Sequence, residues 1–211
     1  TVICLDNFIT GGKNNIDDLL SNSNFKLIMH DITNTIDINA DRIWHLACPA
    51  SPEKYQKDPI KTLITNFHGT LNLLEIAKLN EAKILFASSS EVYGNPEKHP
   101  QKESYFGCVN PIGKRACYEE GKRIAETLCH DFYRKYKTDI SIARIFNTYG
   151  PGMSKNDGRV VSNLIYQALK GESMTINGDG KQTRSFCYID DLIEGLIKLM
   201  NSNYINPINL G

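Results

Sequence analysis

The most constraining feature of this sequence is an alternation of short apolar runs with longer amphipathic segments. Five runs are almost continuously apolar, which is typical of strands that are covered on both faces. They lie at residues 2–5, 26–29, 43–47, 84–87 and 140–145. Residues 59–80 and 116–136 instead place apolar side chains at helical spacing. This order of strands and helices predicts an α/β fold with right-handed crossovers and a doubly wound parallel sheet.

A change of pattern after residue 150 indicates the start of a smaller, substrate-side region. Helices are predicted at 159–169 and 190–200, and short strands at 174–177 and 185–189. Residues 206–211 are predicted to form a strand at which the chain stops without closing any part of the fold. The chain starts inside a strand and not with Met. We therefore expect a fragment of a longer protein, without the first βα unit of its sheet and with no domain boundary inside residues 1–211.

Charge and cysteine content exclude several classes of protein. The 24 Lys and Arg residues balance the 24 Asp and Glu residues, so no positive field is available to hold nucleic acid or an anionic membrane surface. Six cysteines form no CxxC pair, which favours a reducing compartment, the cytoplasm. No apolar run reaches the roughly 18 residues of a membrane helix, although an anchor or signal before Thr1 stays possible. Neither His45 nor His68 belongs to a cluster with metal-ligand spacing.

Two acidic residues follow predicted strands and are candidates for cofactor binding. Asp6 ends the first strand, where a dinucleotide-binding sheet places the carboxylate that accepts hydrogen bonds from the adenosine ribose. A carboxylate there repels a 2′-phosphate and favours NAD over NADP. Asp31 follows the second strand and is a weaker candidate, placed to meet the adenine edge. The alternative for Asp6 is a carboxylate that only caps the following turn.

Tyr118 and Lys122 are four residues apart in the predicted helix at 116–136, so both side chains leave the same face. An ammonium beside a phenol favours the phenolate and lowers a pKa that starts at about 10. This spacing predicts that Tyr118 acts as a base toward a sugar hydroxyl. Taken alone, the same spacing fits an exposed tyrosine beside a solvated lysine.

A polar segment of three serines and a glutamate follows the strand at 84–87. The carboxyl edge of an open α/β sheet is where such folds place their sites. Ser89, Ser90 and Glu91 could orient a hydroxyl and manage protons there. The alternative is a loop that satisfies strand and helix ends, but its combination with Asp6 and the Tyr118 helix is hard to obtain by chance.

With these motifs in place, the sequence resembles the extended short-chain dehydrogenase/reductases, which have a Rossmann-like fold, and within them the UDP-glucuronate decarboxylases. The resemblance covers essentially the whole chain. It rests on LDNF (5–8), HLACPASP (45–52), SEVYG (90–94), NPIG (110–113), ARIFNTYGP (143–151), DGRVVSN (157–163) and GDGKQTRSF (178–186).

The resemblance implies that NAD takes hydride from C4 of UDP-glucuronate, that CO₂ leaves, and that the hydride returns to give UDP-xylose. Tyr118 is then the base and Lys122 its support, and Ser89 supplies the usual Ser/Thr hydroxyl. Ser90 and Glu91 serve carboxylate ejection and reprotonation. The implied cofactor-binding residues are Asp6, Asn7, Phe8, Asp31, Ile32, Leu46, Ala47, Thr65, Ala87, Tyr118, Lys122, Thr148 and Arg159. The implied substrate-binding residues are Ser51, Asn147 and Arg184, with Arg184 on the phosphate or carboxylate.

One position separates this chain from its relatives. Sugar-nucleotide 4,6-dehydratases resemble it but carry an Asp immediately before the Glu, where this chain has Ser90, and 4-epimerases generally lack the Glu. Decarboxylation is therefore preferred, with dehydration as the alternative. A non-catalytic remnant that binds a nucleotide sugar is the other alternative. The resemblance also implies a homodimer through the helices at 59–80 and 116–136.

Overall fold

The computed structural model describes residues 1–154, 158–176 and 178–211. Asp157 and Asn177, which belong to segments discussed above, lie outside these described residues. The strands are β1 (Val2–Asp6), β2 (Phe25–Met29), β3 (Arg42–His45), β4 (Lys83–Ser89), β5 (Ile140–Ile145), β6 (Asn147–Tyr149), β7 (Phe186–Tyr188) and β8 (Ile208–Leu210). The α-helices are α1 (Pro52–Lys57), α2 (Pro59–Ile64), α3 (Thr70–Leu79), α4 (Ala116–Tyr136), α5 (Val160–Lys170) and α6 (Ile189–Met200).

All strand pairs of the described sheets are parallel, which confirms the predicted α/β class. A four-stranded sheet has the order β3-β4-β5-β8, and two further sheets pair β1 with β2 and β6 with β7. Within the described residues, β1 and β3 each pair on one edge only. The carboxyl ends of β3, β4 and β5 therefore meet at one edge, next to the loops that carry the predicted site residues.

Helices cover both faces of the four-stranded sheet, as the almost continuously apolar strands predict. Ile84 and Phe86 of β4 face a core that includes residues of α3 and α4. Leu85, between them, faces the opposite core with Leu192 and Leu196 of α6. Successive strand side chains point to opposite faces, so one strand fills two cores. This double burial fixes the register of β4 and with it the position of the site loop that follows.

The predicted helix at 59–80 is present but is not a uniform α-helix. It begins at Pro59, where Asp58 accepts a hydrogen bond from the Lys61 backbone N–H at 2.9 Å. A π-helical segment, Thr65–Gly69, separates α2 from α3. Such π-helical segments are rare and frequently occur at functional sites, and this one lies against α4. Helix α4 has the predicted bounds, Ala116–Tyr136.

The region after residue 150 follows the prediction in part. Helices α5 and α6 and strand β7 are present, and each of their ends lies within one residue of the predicted segment. The predicted strand at 174–177 is wrong for its described residues 174–176, which adopt no regular structure. The expectation that 206–211 closes nothing is also wrong, since β8 pairs with β5 from Ala143↔Ile208 to Ile145↔Leu210. None of the helices in the described part of the chain is long and apolar enough to cross a membrane.

Candidate active site

A cavity of about 490 Å³ lies at the carboxyl edge of the four-stranded sheet. Its wall combines residues after β3, the carboxyl end of β4 and the turn that follows it, the start of α4, the end of β5 with the segment after it, and the region after residue 150. The sequence-predicted site residues on this wall are Leu46, Ala87, Ser89, Ser90, Glu91, Tyr118, Lys122, Asn147, Thr148, Arg159 and Arg184. The fold therefore brings the predicted base, its lysine and the serine segment into one cavity.

Tyr118 and Lys122 share the buried face of α4. The Lys122 ammonium donates a hydrogen bond to the carbonyl oxygen of Ala87 at 2.8 Å and lies 4.8 Å from the Phe86 ring centroid. It lies 5.6 Å from the ring centroid of Tyr118. Gly121 allows this close packing, because a Cβ there would lie 2.9 Å from the Asn66 amide nitrogen on the π-helical segment. The predicted arrangement of phenol and ammonium is confirmed.

The predicted lowering of the Tyr118 pKa by Lys122 is wrong. Burial raises the pKa of Tyr118, and the charges of Cys48 and Glu91 raise it further. A hydrogen bond with Ser89 works in the opposite direction but does not offset burial. The physical reason is that a phenolate loses more hydration in this buried setting than the nearby groups restore. Burial likewise lowers the pKa of Lys122, so burial disfavours the charged form of both side chains.

Ser88 and Ser89, the last two residues of β4, have different partners. The Ser88 hydroxyl donates to the Glu126 carboxylate at 2.5 Å, and Arg144 binds the same carboxylate at 2.7 Å. The Ser89 hydroxyl accepts a hydrogen bond from the Glu91 backbone N–H at 3.2 Å and so caps the turn that carries Glu91. Ser88 is therefore held by the protein interior, whereas Ser89 links Tyr118 to the turn of Glu91.

Glu91 is held by two residues that the sequence interpretation missed. Arg115 forms an ion pair with its carboxylate, and the Tyr55 hydroxyl donates to the other carboxylate oxygen at 3.4 Å. The Tyr55 ring stacks on the Tyr118 ring with centroids 4.7 Å apart. The signal that could have revealed Arg115 is its position three residues before Tyr118, one helical turn away. Tyr55 offers only its place three residues beyond the HLACPASP motif.

A further part of the cavity wall comes from the region around and after β6. Asn147 donates to the Ser185 carbonyl oxygen at 3.1 Å, which joins β6 to the segment before β7. Thr148 lies in β6, in register with Cys187. Arg184 lines the cavity while one of its nitrogens donates to the Thr183 carbonyl oxygen at 2.7 Å. An amide and a guanidinium therefore line the same cavity as Tyr118 and Glu91.

The predicted ribose and adenine residues form a separate cluster at the carboxyl edge of β1 and β2. Asp6 accepts a hydrogen bond from the Phe8 backbone N–H at 2.7 Å. Asn7 donates to the Asp31 carboxylate at 3.1 Å, and Lys61 pairs with the same carboxylate at 2.7 Å. Asp31 also accepts two hydrogen bonds from Thr33, and these contacts hold the pKa of Asp31 well below its usual range despite partial burial. Asp6 and Asp31 thus lie on one edge, but not on the cavity wall.

Four other predicted residues pack in the interior beside the cavity. Ile32 is buried against Gly69 of the π-helical segment, and Ala47 packs on the core formed with α3 and α4. Thr65 donates to the Lys61 carbonyl oxygen of the preceding turn at 2.8 Å. Ser51 is buried, and its hydroxyl has no hydrogen-bond partner among the described residues. Direct contact of these side chains with a ligand stays a prediction.

Two interior polar groups complete the site. The Cys48 thiol lines the cavity and accepts a hydrogen bond from the Asn66 amide at 3.1 Å, and burial raises its pKa. His45 is hydrogen-bonded to the Thr70 hydroxyl at 2.9 Å, and burial lowers its pKa to about 3. In the described part of the chain, no group of three or more His, Cys, Asp or Glu side chains is placed to hold a metal ion.

Comparison with protein families and curated sequences points to one group of enzymes. A sequence profile described as "NAD dependent epimerase/dehydratase family" matches residues 1–211. The chain is 56% identical over 210 residues to UDP-glucuronic acid decarboxylase 1 of Xenopus tropicalis. The match covers all of this chain and 50% of that protein. The chain is also 56% identical over 210 residues to UDP-glucuronic acid decarboxylase 3 of Arabidopsis thaliana, again over the whole chain and over 61% of that protein. The chain thus spans about half to three-fifths of these relatives.

Solved structures show the same architecture. UDP-N-acetylglucosamine 4-epimerase from Methanobrevibacter ruminantium, in complex with UDP-N-acetylmuramic acid, superposes with a TM-score of 0.89 at 30% identity, over the whole chain and 68% of that structure. UDP-glucuronic acid 4-epimerase from Bacillus cereus, in complex with UDP-glucuronic acid and NAD, superposes with a TM-score of 0.82 at 32% identity, over the whole chain and 69% of that structure. The fold is therefore shared with sugar-nucleotide 4-epimerases, whose reaction differs from that of the decarboxylases named above.

Proposed function

Because the chain belongs to the NAD dependent epimerase/dehydratase family, we propose that its full-length protein decarboxylates UDP-glucuronate to UDP-xylose with NAD as its cofactor. One observation carries the proposal: a single cavity holds Tyr118, Lys122 and the Ser90-Glu91 pair. The whole-chain identity of 56% to two curated UDP-glucuronic acid decarboxylases supports this choice over the epimerases, whose solved structures share 30% and 32% identity.

The residues of the cavity fit NAD. Lys122 is only 3% exposed, and no ion pair among the described residues includes it. An ammonium has three donors, and one of them reaches Ala87, so donors remain for ribose hydroxyls. Asp6, at the end of β1, would hold the other ribose. When bound, oxidised NAD supplies the hydride acceptor for C4 of the sugar, the later hydride donor, and a positive charge that favours the Tyr118 phenolate.

Tyr118 moves the proton of the C4 hydroxyl. As a phenolate it accepts this proton while C4 is oxidised to a ketone, and it returns the proton when C4 is reduced again. Ser89, through its hydrogen bond with Tyr118, orients the phenol toward the hydroxyl. Because Tyr118 gives back what it takes, this residue causes no net change in protons.

The ketone at C4 makes loss of the carboxyl group possible. It lies beta to the carboxylate, so the electrons of the breaking carbon–carbon bond enter an enolate as CO₂ departs. C5 of that enolate then needs a proton, and the complete reaction consumes one proton from solvent. Glu91 lies on the cavity wall with a side chain 22% exposed, and burial raises its pKa despite Arg115. We assign to Glu91 the uptake of that proton and its delivery to C5.

Residues about 150–211 contribute the substrate-binding side of the same domain. The guanidinium of Arg184 matches the fork geometry of a phosphate or a carboxylate, and Asn147 stands beside it on the wall. Arg159 lines the wall at the start of α5. Together with Ser51, these residues would hold the nucleotide sugar so that C4 faces Tyr118.

The test uses the full-length protein with UDP-glucuronate and NAD. We expect release of CO₂ and formation of UDP-xylose, and we expect Tyr118→Phe to reduce turnover by about 10²- to 10⁴-fold, because the proton acceptor is lost. Tyr204→Phe, which changes an exposed tyrosine outside the cavity, is the matched control and should turn over like the wild type. Recovery of only a 4-keto-6-deoxy sugar or a C4 epimer would refute the assignment.

The full-length protein is further proposed to be a cytoplasmic homodimer. Ile60, Leu63, Ile64 and Ile124 expose apolar side chains on α2 and α4, and Ile60 is 72% exposed. A second copy would cover this face. All six cysteines are free, which supports a reducing compartment. Sedimentation of the full-length protein should give twice the mass of one chain, and a monomer at micromolar concentration would contradict the proposal.

A further inference from the structure

Glu91 is fixed by side chains from two other elements. Arg115, at the N-cap of α4, forms an ion pair with one carboxylate oxygen. Tyr55, in α1, donates its hydroxyl proton to the other carboxylate oxygen at 3.4 Å. Arg115 also donates through Nε to the Tyr55 hydroxyl oxygen at 2.9 Å. The three side chains therefore form a closed triangle of contacts around one carboxylate, called here the Glu91 clamp.

Tyr55 joins this clamp to the proposed base. Its side chain is completely buried, and its ring stacks on that of Tyr118 with an interplanar angle of 8°. The hydroxyl end of Tyr55 reaches Glu91, while its ring face rests on Tyr118. A displacement of Tyr55 would therefore move both groups that handle protons in the proposed reaction.

We propose that Arg115 and Tyr55 are positioning residues: they hold the Glu91 carboxylate in one place at the cavity wall and govern how readily it takes up a proton. This inference rests on the proposed decarboxylation and deepens it. A carboxylate that must deliver a proton to one carbon of a bound sugar needs a fixed position, and an error of about 1 Å can cost 100-fold in rate. Two partners from two elements supply that fixation.

The charges around Glu91 give the direction of the effect. Arg115, Glu119, Tyr118 and Tyr55 are the titratable and charged groups that face it. Burial raises the pKa of Glu91, whereas the Arg115 charge and the hydrogen bonds from Arg115 and Tyr55 lower it. The pKa of Tyr55 is raised to about 12, so this hydroxyl keeps its proton and remains a donor. Loss of either partner must therefore raise the pKa of Glu91 further.

The experiment follows the pH profile of CO₂ release in the full-length protein. Glu91→Gln identifies the limb of the profile that depends on Glu91, because that limb disappears in this variant. We expect Arg115→Gln to move the limb upward by about 1 to 3 pH units, the range for removing a neighbouring guanidinium. Tyr55→Phe keeps the stacked ring and should move it upward by about one unit. Arg115→Lys should restore the limb to within about half a unit but not the full turnover, since a point charge replaces the fork.

The matched control is Arg134→Gln, the same change on an exposed part of α4 where the side chain is 70% exposed. It should leave both the limb and the turnover unchanged. A second measurement does not depend on activity: the Glu91 side-chain carboxyl carbon, identified by its absence in Glu91→Gln, is titrated by ¹³C NMR in folded wild type and Tyr55→Phe. An upward shift in Tyr55→Phe supports the inference.

The outcomes separate the inference from the proposed function. If the wild type releases no CO₂ but the Glu91 resonance shifts in Tyr55→Phe, the function is refuted and the clamp stands as a control of protonation. If the wild type is active, and the limb and the resonance stay within about 0.2 units in folded Arg115→Gln and Tyr55→Phe, the inference is overturned.

Discussion

The two carboxyl edges of this molecule satisfy their charged side chains in different ways. At the edge of β1 and β2, Asp31 receives hydrogen bonds from Thr33 and pairs with Lys61 at 2.7 Å. At the cavity edge, Lys122 is buried with one hydrogen bond to Ala87, and no ion pair among the described residues includes it. The carboxylate of Asp31 therefore has an oppositely charged partner within the fold. The ammonium of Lys122 has no such ion-pair partner among the described residues.

The same direction of pKa shift has opposite meanings at these two edges. The pKa of Asp31 is lowered because its partners favour the charged form, so the folded state is stabilised by that charge. The pKa of Lys122 is lowered because burial disfavours its charged form. A buried ammonium kept at such a cost is a candidate for ligand binding, whereas a fully satisfied carboxylate is mainly structural.

The largest effect in this comparison is expected for Lys122→Met. Loss of the ammonium removes the donors proposed for the cofactor ribose and for electrostatic support, so turnover should fall by about 10²- to 10³-fold. The stability of the variant should rise above that of the wild type, because a buried charge is replaced by an apolar side chain of similar length. Turnover and the melting temperature, measured on the same preparation of full-length protein, provide the check.

Lys61→Met is the matched control for that experiment, since it changes a lysine at the other edge. Its ammonium pairs with Asp31 and donates to Thr33, so the variant should lose stability and keep most of its turnover. The contrast between the two edges would be broken if Lys122→Met melted below the wild type while Lys61→Met melted above it.

Much of the fold followed from the sequence because its signals are local. The apolar run at 140–145 and the amphipathic helix at 116–136 have the predicted bounds in the structure. The strand predicted at 174–177 failed in its described part, since a short apolar run carries no information about whether a partner strand is available. Conversely, β8 gained a partner in β5 that no local pattern could reveal.

The site was predictable where spacing along one element determines geometry. Tyr118 and Lys122 share a face because they lie four residues apart on one helix. Their protonation was not predictable, because the pKa of Tyr118 depends on burial and on Cys48 and Glu91, which come from other elements. Tyr55 was missed for the same reason: its contacts with Glu91 and Tyr118 are tertiary.

A smaller effect than that of Lys122 is expected for Asp6→Asn. An asparagine oxygen can still accept the hydrogen bond from the Phe8 backbone N–H, so the turn after β1 should be retained. The charged acceptor proposed for the ribose hydroxyls is lost, which should weaken NAD binding by about tenfold and reduce the preference for NAD over NADP. Calorimetric titration of the full-length protein with both cofactors measures this, and unchanged affinity for NAD would remove Asp6 from its proposed role.

The smallest effect is expected for Asp31→Asn, which separates a structural carboxylate from a binding one. The amide keeps some hydrogen bonds with Thr33 but loses the charge opposite Lys61, so unfolding at pH 7 should require about 1 kcal/mol less free energy. Because the folded-state pKa of Asp31 is lowered, its contribution is complete above the usual carboxyl pKa and is lost as the pH falls toward the lowered value. Urea titrations between pH 7 and pH 3 should therefore show the difference from wild type shrinking, while NAD affinity at pH 7 stays within about twofold. If NAD affinity falls as much as in Asp6→Asn, Asp31 meets the cofactor after all, and the two carboxyl edges form one binding surface.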